Sequence, residues 1–168
     1  MKFELNKLSK QYDIKFLKTE DIDIILEVCS QNQLFYQYHP PFATKESIAE
    51  DMQALPPGKE EKDKFYVGYF TGNELVAVLD LIFCYPDEKT AYIGFFMMNK
   101  EYQGKGIGTR MISECGKYLA DLNFEKIRLA IDKGNPQSEA FWTKNGFVKT
   151  GDEIQNEYSA YVPMERIL

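Results

Sequence analysis

The stretch that decides the reading is Gln103-Gly104-Lys105-Gly106-Ile107-Gly108. An apolar run, Ala91–Met98, precedes it, and a helical pattern follows, with Ile107, Met111, Ile112, Cys115, Leu119 and Leu122 on one side. Glycines between a strand and a helix let the backbone adopt positive φ and come close to a ligand. The free amides and dipole at a helix N-terminus suit an anion. Two familiar phosphate loops are excluded. A P-loop needs GxxxxGK[ST], but Gly106 follows Lys105 and the upstream glycine is missing. A dinucleotide fingerprint needs a glycine three after the second, where Thr109 stands. Without further support the loop also reads as a tight turn.

Outward from the loop the chain reads as one mixed α/β domain over residues 1–168, in the order β-α-α-β-β-β-α-β-α-β-β. Tyr12–Leu17 is a first strand, and Thr19 opens a helix with Ile22, Ile25, Leu26 and Cys29 on one face. Leu34–Phe42 is aromatic and broken by Pro40-Pro41, which predicts a loop. Thr44 or Ser47 opens a second helix, with Ser47 and Glu50 spaced as a capping box. Phe65–Phe70, Leu75–Cys84 and Ala91–Met98 form a meander. Lys126–Ile131 is a strand, Pro136 to Asn145-Gly146 a helix, and Phe147–Thr150 and Tyr158–Arg166 are closing strands.

The 168 residues carry 20 Lys+Arg against 26 Asp+Glu, a net charge of −6 that argues against a nucleic-acid binder. No apolar run is long enough for a membrane span, and the N-terminus lacks the apolar core of a signal peptide. Cys29, Cys84 and Cys115 fit neither a disulfide framework nor CxxC metal spacing, and one histidine cannot build a His-rich metal site. The expectation is a cytoplasmic protein without a metal. Locally the sign reverses: between residues 100 and 117, Lys100, Lys105, Arg110 and Lys117 face only Glu101 and Glu114. Lys105 and Arg110 are placed to meet a phosphate.

Gln103-x-x-Gly106-x-Gly108 resembles the Q/R-x-x-G-x-G/A motif of the GNAT superfamily of N-acetyltransferases. Asn135-Pro-Gln-Ser138-Glu-Ala-Phe141-Trp142-Thr-Lys144-Asn-Gly146-Phe147 is similar to a second pattern of that family. The resemblance implies an acetyl-CoA-dependent acyltransferase whose amine acceptor attacks the thioester directly. Backbone amides of Gly104, Lys105, Gly106, Ile107, Gly108 and Thr109 would cradle the pyrophosphate. Phe96, Met97 and Met98 would pair with the pantetheine arm in a slot between splayed fourth and fifth strands. Asn135 would contact the same arm and Phe141 would line its wall, or simply pack in the core. The Met98 N–H would stabilise the oxyanion. The resemblance also admits a homodimer, which no residue decides.

An ammonium acceptor must lose a proton before attack. Asp80 is the expected base, because a carboxylate in the otherwise apolar Leu75–Cys84 must be paired or face the cleft. His39 and Glu88 are the other acceptors nearby. Many relatives carry a Tyr that protonates the leaving thiolate where this chain has Trp142, which cannot act as an acid. Tyr92, Tyr102, Tyr158 or Tyr161 would have to substitute, or no acid is used. That departure keeps open a module that binds acyl-CoA without turnover. On the acceptor side Phe35, Tyr36, His39 and Tyr158 are expected to hold the amine, small molecule or peptide, through aromatic faces. Acidic neighbours favour a cationic one.

Overall fold

The computed structural model describes residues 3–168. Met1 and Lys2, which the single-domain reading includes, lie outside the described residues. Eight strands form one sheet: β1 (Asp13–Phe16), β2 (Lys64–Thr71), β3 (Glu74–Phe83), β4 (Thr90–Met98), β5 (Lys126–Asp132), β6 (Val148–Lys149), β7 (Ile154–Gln155) and β8 (Ala160–Ile167). Their order is β1-β2-β3-β4-β5-β8-β6, with β7 also on β8. Among the described residues only β4 and β5 run parallel, joined by a helical crossover as parallel neighbours require. The helices are α1 (Ile22–Ser30), α2 (Gln33–Tyr38), α3 (Lys45–Gln53), α4 (Ile107–Asp121) and α5 (Pro136–Lys144).

Each face of the sheet has its own core. On one side α4 buries Met111, Ile112, Cys115 and Leu119 against β2–β5 residues such as Leu79 and Ile93. Each such aliphatic side chain contributes about 1.5–3 kcal/mol. On the other side α1, α2 and α3 bury Ile25, Val28, Tyr36 and Ile48 against Tyr66, Val78 and Met97. Alternation along β4 follows: Phe96 and Met98 belong to the first core, Phe95 and Met97 to the second.

Thr19 does not cap α1: it begins a 3-10 turn, Thr19–Asp21, and the N-cap of α1 is Asp21. Two further elements depart from the sequence reading. Residues 33–38 are helical, where the paired prolines suggest a loop. Pro40 constrains His39 and stops the helix there, but its reach does not extend upstream through Tyr38. A two-residue strand, β7, lies in the segment before the last strand. Thr44, rather than Ser47, is the N-cap of α3, and the two hydroxyls cap reciprocally.

The feature that positions the site is in β4. Asp80 pairs with Phe95, but Leu81 pairs with Ile93, so Gly94 is an extra residue in β4, a bulge that bends the strand. Pairing with β5 stops just before it: only Thr90, Ala91 and Tyr92 find partners, in Lys126, Ile127 and Arg128. Beyond Tyr92 the strands part. Among the described residues no helix is long and apolar enough to cross a membrane.

Candidate active site

The parting strands leave β4 backbone groups turned toward the gap. The Asn99 N–H bonds the Val76 carbonyl, 2.9 Å away, so Asn99 faces β3. Antiparallel alternation then turns the N–H and C=O of Met98 and Phe96 toward β5, where no strand pairs with them, and those of Met97 toward β3, so Met97, expected beside them, does not face the gap. The Met98 carbonyl accepts from Asn32 Nδ2 at 3.0 Å and Gln103 Nε2 at 2.9 Å. Gln103 also donates to Asn32 Oδ1 at 2.7 Å. The Gln103 side chain is thus spent on tying the glycine loop to the end of β4. Asn32 completes that knot, although no motif marked it.

The loop itself keeps its backbone free. Gly104 and Gly106 hold φ of +72° and +74°, which L side chains rarely adopt, and Gly106 is the N-cap of α4. The first helical bond comes from the Arg110 N–H to the Gly106 carbonyl. Among the described residues the six amides from Gly104 to Thr109 meet no protein acceptor. Gly108 instead packs tightly, since a Cβ there would lie 2.7 Å from the Met98 sulfur and 3.1 Å from the Phe141 ring. Lys105 is exposed beside the loop, while the Arg110 guanidinium is engaged by Gln11 Oε1.

Across the gap, α5 begins at Asn135, whose Oδ1 accepts from the amides of Gln137 and Ser138. Its Nδ2 is buried without a partner among the described residues. Phe141 stacks on Phe96, 5.8 Å between ring centres, and Trp142 packs edge-on against Phe96, Phe141 and Phe147. Trp142 is a packing residue, buried in the α4–α5 core.

The face of the sheet covered by α1, α2 and α3 brings several ionisable groups together. Asp80 is buried beside the bulge, its Oδ2 taking a 2.8 Å ion pair from Lys64, which also donates to the Ala54 carbonyl. Both side chains are under a tenth exposed. Asp80 Oδ1 has no partner among the described residues. Desolvation raises the Asp80 carboxyl above its ordinary value, and Lys64 pulls it back. Gly94 makes this possible: a Cβ there would sit 2.6 Å from Asp80 Oδ2. Asp51 of α3 is raised by desolvation, opposed by His39 and Lys64.

The sequence-expected acceptor residues divide. Phe35 and His39 lie together, 5.2 Å between ring centres, and Phe35 reaches Phe95. Tyr36 is buried against Cys29, its hydroxyl raised by desolvation. Tyr158 sits exposed in the β7–β8 turn; Tyr161, on β8, approaches His39 instead, at 6.3 Å. Asp132, which no motif marked, closes at 3.0 and 3.1 Å on His39 Nδ1. Glu88 is exposed in the β3–β4 turn, and Tyr102 is engaged by Glu74. The cysteines are free; Cys84 is half-buried just after β3, and burial pushes the Cys115 thiol to about 12. Among the described residues no group of three His, Cys, Asp or Glu could hold a metal ion.

Residues 28–147 match the model of the acetyltransferase (GNAT) family. No curated protein sequence matches the chain. Solved structures do. An acetyltransferase from Thermus thermophilus is 20% identical, with 93% of this chain and 96% of that one covered and a TM-score of 0.71. PaiA N-acetyltransferase from Thermoplasma acidophilum, in complex with coenzyme A, is 20% identical over 94% of this chain and 99% of its own, at 0.66. Spermidine N-acetyltransferase from Vibrio cholerae, in complex with CoA and spermine, is 20% identical over 95% and 96%, at 0.65.

Proposed function

The chain belongs to the GNAT acetyltransferase family, and from that premise we propose that it transfers acetyl from acetyl-CoA to the nitrogen of a cationic amine. The observation that carries this reading is the pairing of a strand gap with a free-amide loop at its mouth. The residues present fit the cofactor. Six consecutive amides and two positive-φ glycines, with nothing within 4 Å of where a Cβ would stand on either, make a cradle for a pyrophosphate. The backbone of Phe96 and Met98 suits an extended amide arm lying beside it as an added strand would. The unpartnered Asn135 Nδ2 is a buried donor for the same arm. Lys105 adds positive charge, and Phe141 lines the wall.

Acetyl-CoA supplies an acyl group already activated as a thioester. The protein's work is then orientation of two reactants, and we assign the Met98 N–H to the charge that develops on the carbonyl oxygen. No enzyme nucleophile is required, and Cys115, pushed to about 12, would make a poor one. The acceptor side carries Asp51, Asp80 and Asp132 among Phe35, Tyr36 and Tyr161, a combination suited to an ammonium group. The relative in complex with spermine is a spermidine N-acetyltransferase. A polyamine therefore belongs in any acceptor panel, beside simple primary amines and peptide N-termini.

A second reading, binding of acyl-CoA without turnover, is favoured by one observation. Trp142, where a proton-donating Tyr is common in the family, packs in the core and offers no acid. Acceptor-dependent thiol release separates the two. Release with at least one amine supports transfer; CoA binding with no release from any amine supports the module.

A further inference from the structure

The short helix that the prolines conceal is anchored at both ends, to different strands. Just before α2, Asn32 bonds the Met98 carbonyl on β4. Just after it, His39 bonds both oxygens of Asp132 on β5, 3.0 and 3.1 Å away. A six-residue helix is about 9 Å long, roughly twice the ~4.8 Å between paired strands. So α2 is a strap across the gap between β4 and β5, with one end at the carbonyl of Met98, whose N–H is turned into that gap. The strap is seated at the far end as well, since a Cβ on Gly134 would lie 3.7 Å from the Tyr38 ring and the Asn135 N–H bonds the Asp132 carbonyl. The partner of His39 and the unpartnered Asn135 amide thus belong to one turn.

The chemistry of the imidazole follows from its partner. A carboxylate only accepts, so Nδ1 carries a proton, and in the neutral ring Nε2 holds the lone pair. Asp132 is buried, its side chain 9% exposed, while that of His39 is 43% exposed, so the dyad is held from behind and open in front. The ring is fixed between Phe35 and Tyr161. Asp80, by contrast, has one oxygen committed to Lys64.

Resting on the N-acetyltransferase reading, we infer that His39, oriented by Asp132, takes the proton from the acceptor ammonium. The proton passes from nitrogen to Nε2, and the freed lone pair forms the N–C bond as the C–S bond breaks. The second proton, lost from nitrogen after attack, leaves on the thiol sulfur, and the imidazolium returns its own to water. The groups facing the ring set its range. Asp132 on β5 raises its affinity for a proton first, Asp51 on α3 adds to that, and burial works against both. Tyr36 on α2 and Tyr161 on β8, both with raised hydroxyls, stay neutral beside it. The rate should therefore fall as pH drops through a value above that of an ordinary histidine.

His39 is the chain's only histidine, which makes the test clean. His39→Gln should lower kcat at neutral pH by about 100-fold or more, leave the acetyl-CoA KM unchanged, and lose the acid limb of the pH profile. Its deficit should shrink as pH rises and the amine deprotonates unaided. Asp132→Asn should move the acid limb to lower pH. Independently of turnover, the single imidazole signal in NMR should titrate above the ordinary value, shift down in Asp132→Asn, and show nitrogen shifts of the Nδ1-protonated form. A His39→Gln enzyme within a few-fold of wild type with its acid limb intact would overturn the inference. So would an Nε2-protonated ring, or loss of the acid limb in Asp80→Asn alone. Unchanged acetyl-CoA binding shows that each variant is folded. A wild type that binds acetyl-CoA but acetylates no amine overturns the underlying reading and this role together; an active wild type with those other results overturns the role alone.

Discussion

The glycine loop and the proposed acceptor face are built in opposite ways. The loop is six consecutive residues, Gln103 to Gly108, whose function needs little more than free amides and two backbone angles. The acceptor face draws Phe35 and His39 from around α2, Asp51 from α3, Asp80 from β3, Asp132 from β5 and Tyr161 from β8. A local device is robust to its surroundings and is written contiguously. An assembled one depends on the packing that brings distant residues together, so its side chains carry structural duty as well.

That difference can be broken or sharpened by substitution. The largest effect is expected on the assembled side. Lys64→Met leaves Asp80 as an unpaired buried charge and should cost about 3–5 kcal/mol in urea unfolding. Adding Asp80→Leu should recover most of it. If Lys64→Met is neutral, Asp80 is not held structurally and the contrast weakens.

On the local side, a Cβ at Gly106 would meet no atom within 4 Å, so the cost of Gly106→Val to folding should be mainly the roughly 1–2 kcal/mol of a left-handed side chain. Its cost to acetyl-CoA binding should be about 100-fold or greater, about 2.7 kcal/mol by calorimetry. Unaltered affinity would remove the loop from the cofactor site. Gly94→Ala tests the joint between the regions. Its Cβ must displace Asp80 Oδ2, so it should destabilise by about 1–3 kcal/mol and perturb acceptor KM more than acetyl-CoA KM. Equal changes in both would mean that the bulge serves the whole gap.

The smallest effect is a pH dependence. The value of His39 is raised in the folded chain, so the stability its pairing with Asp132 contributes is fully present below the ordinary 6.5. It is lost as pH rises through the raised native value. The penalty of His39→Gln in thermal melts should thus be larger below about pH 6.5 than well above it. A penalty independent of pH would mean that the imidazole does not gain its proton from this contact.

The same contrast explains what could be read from residues alone. The glycine loop, the α4 stripe and the α5 start were legible because each is local and periodic. Asp132 was not, since it closes an apolar strand and meets His39 across 93 positions of sequence. Asn32 and Asp51 lacked any signal for the same reason. Helix α2 was obscured by prolines that act only on their immediate predecessor. The bulge did leave a trace, in the lone Gly94 inside an otherwise bulky strand, the usual mark of a local irregularity. The expectation of Tyr158 on the acceptor side gives way to Tyr161, because strand register alone decides which one reaches His39.

The most direct test of the account follows the acetyl group itself. Radiolabelled acetyl-CoA should deliver label to a polyamine or another primary amine in the presence of the wild-type protein. Gly106→Val, folded but unable to hold the cofactor, should deliver almost none. Tight retention of acetyl-CoA with no label on any amine, or equal transfer by both proteins, would contradict the account.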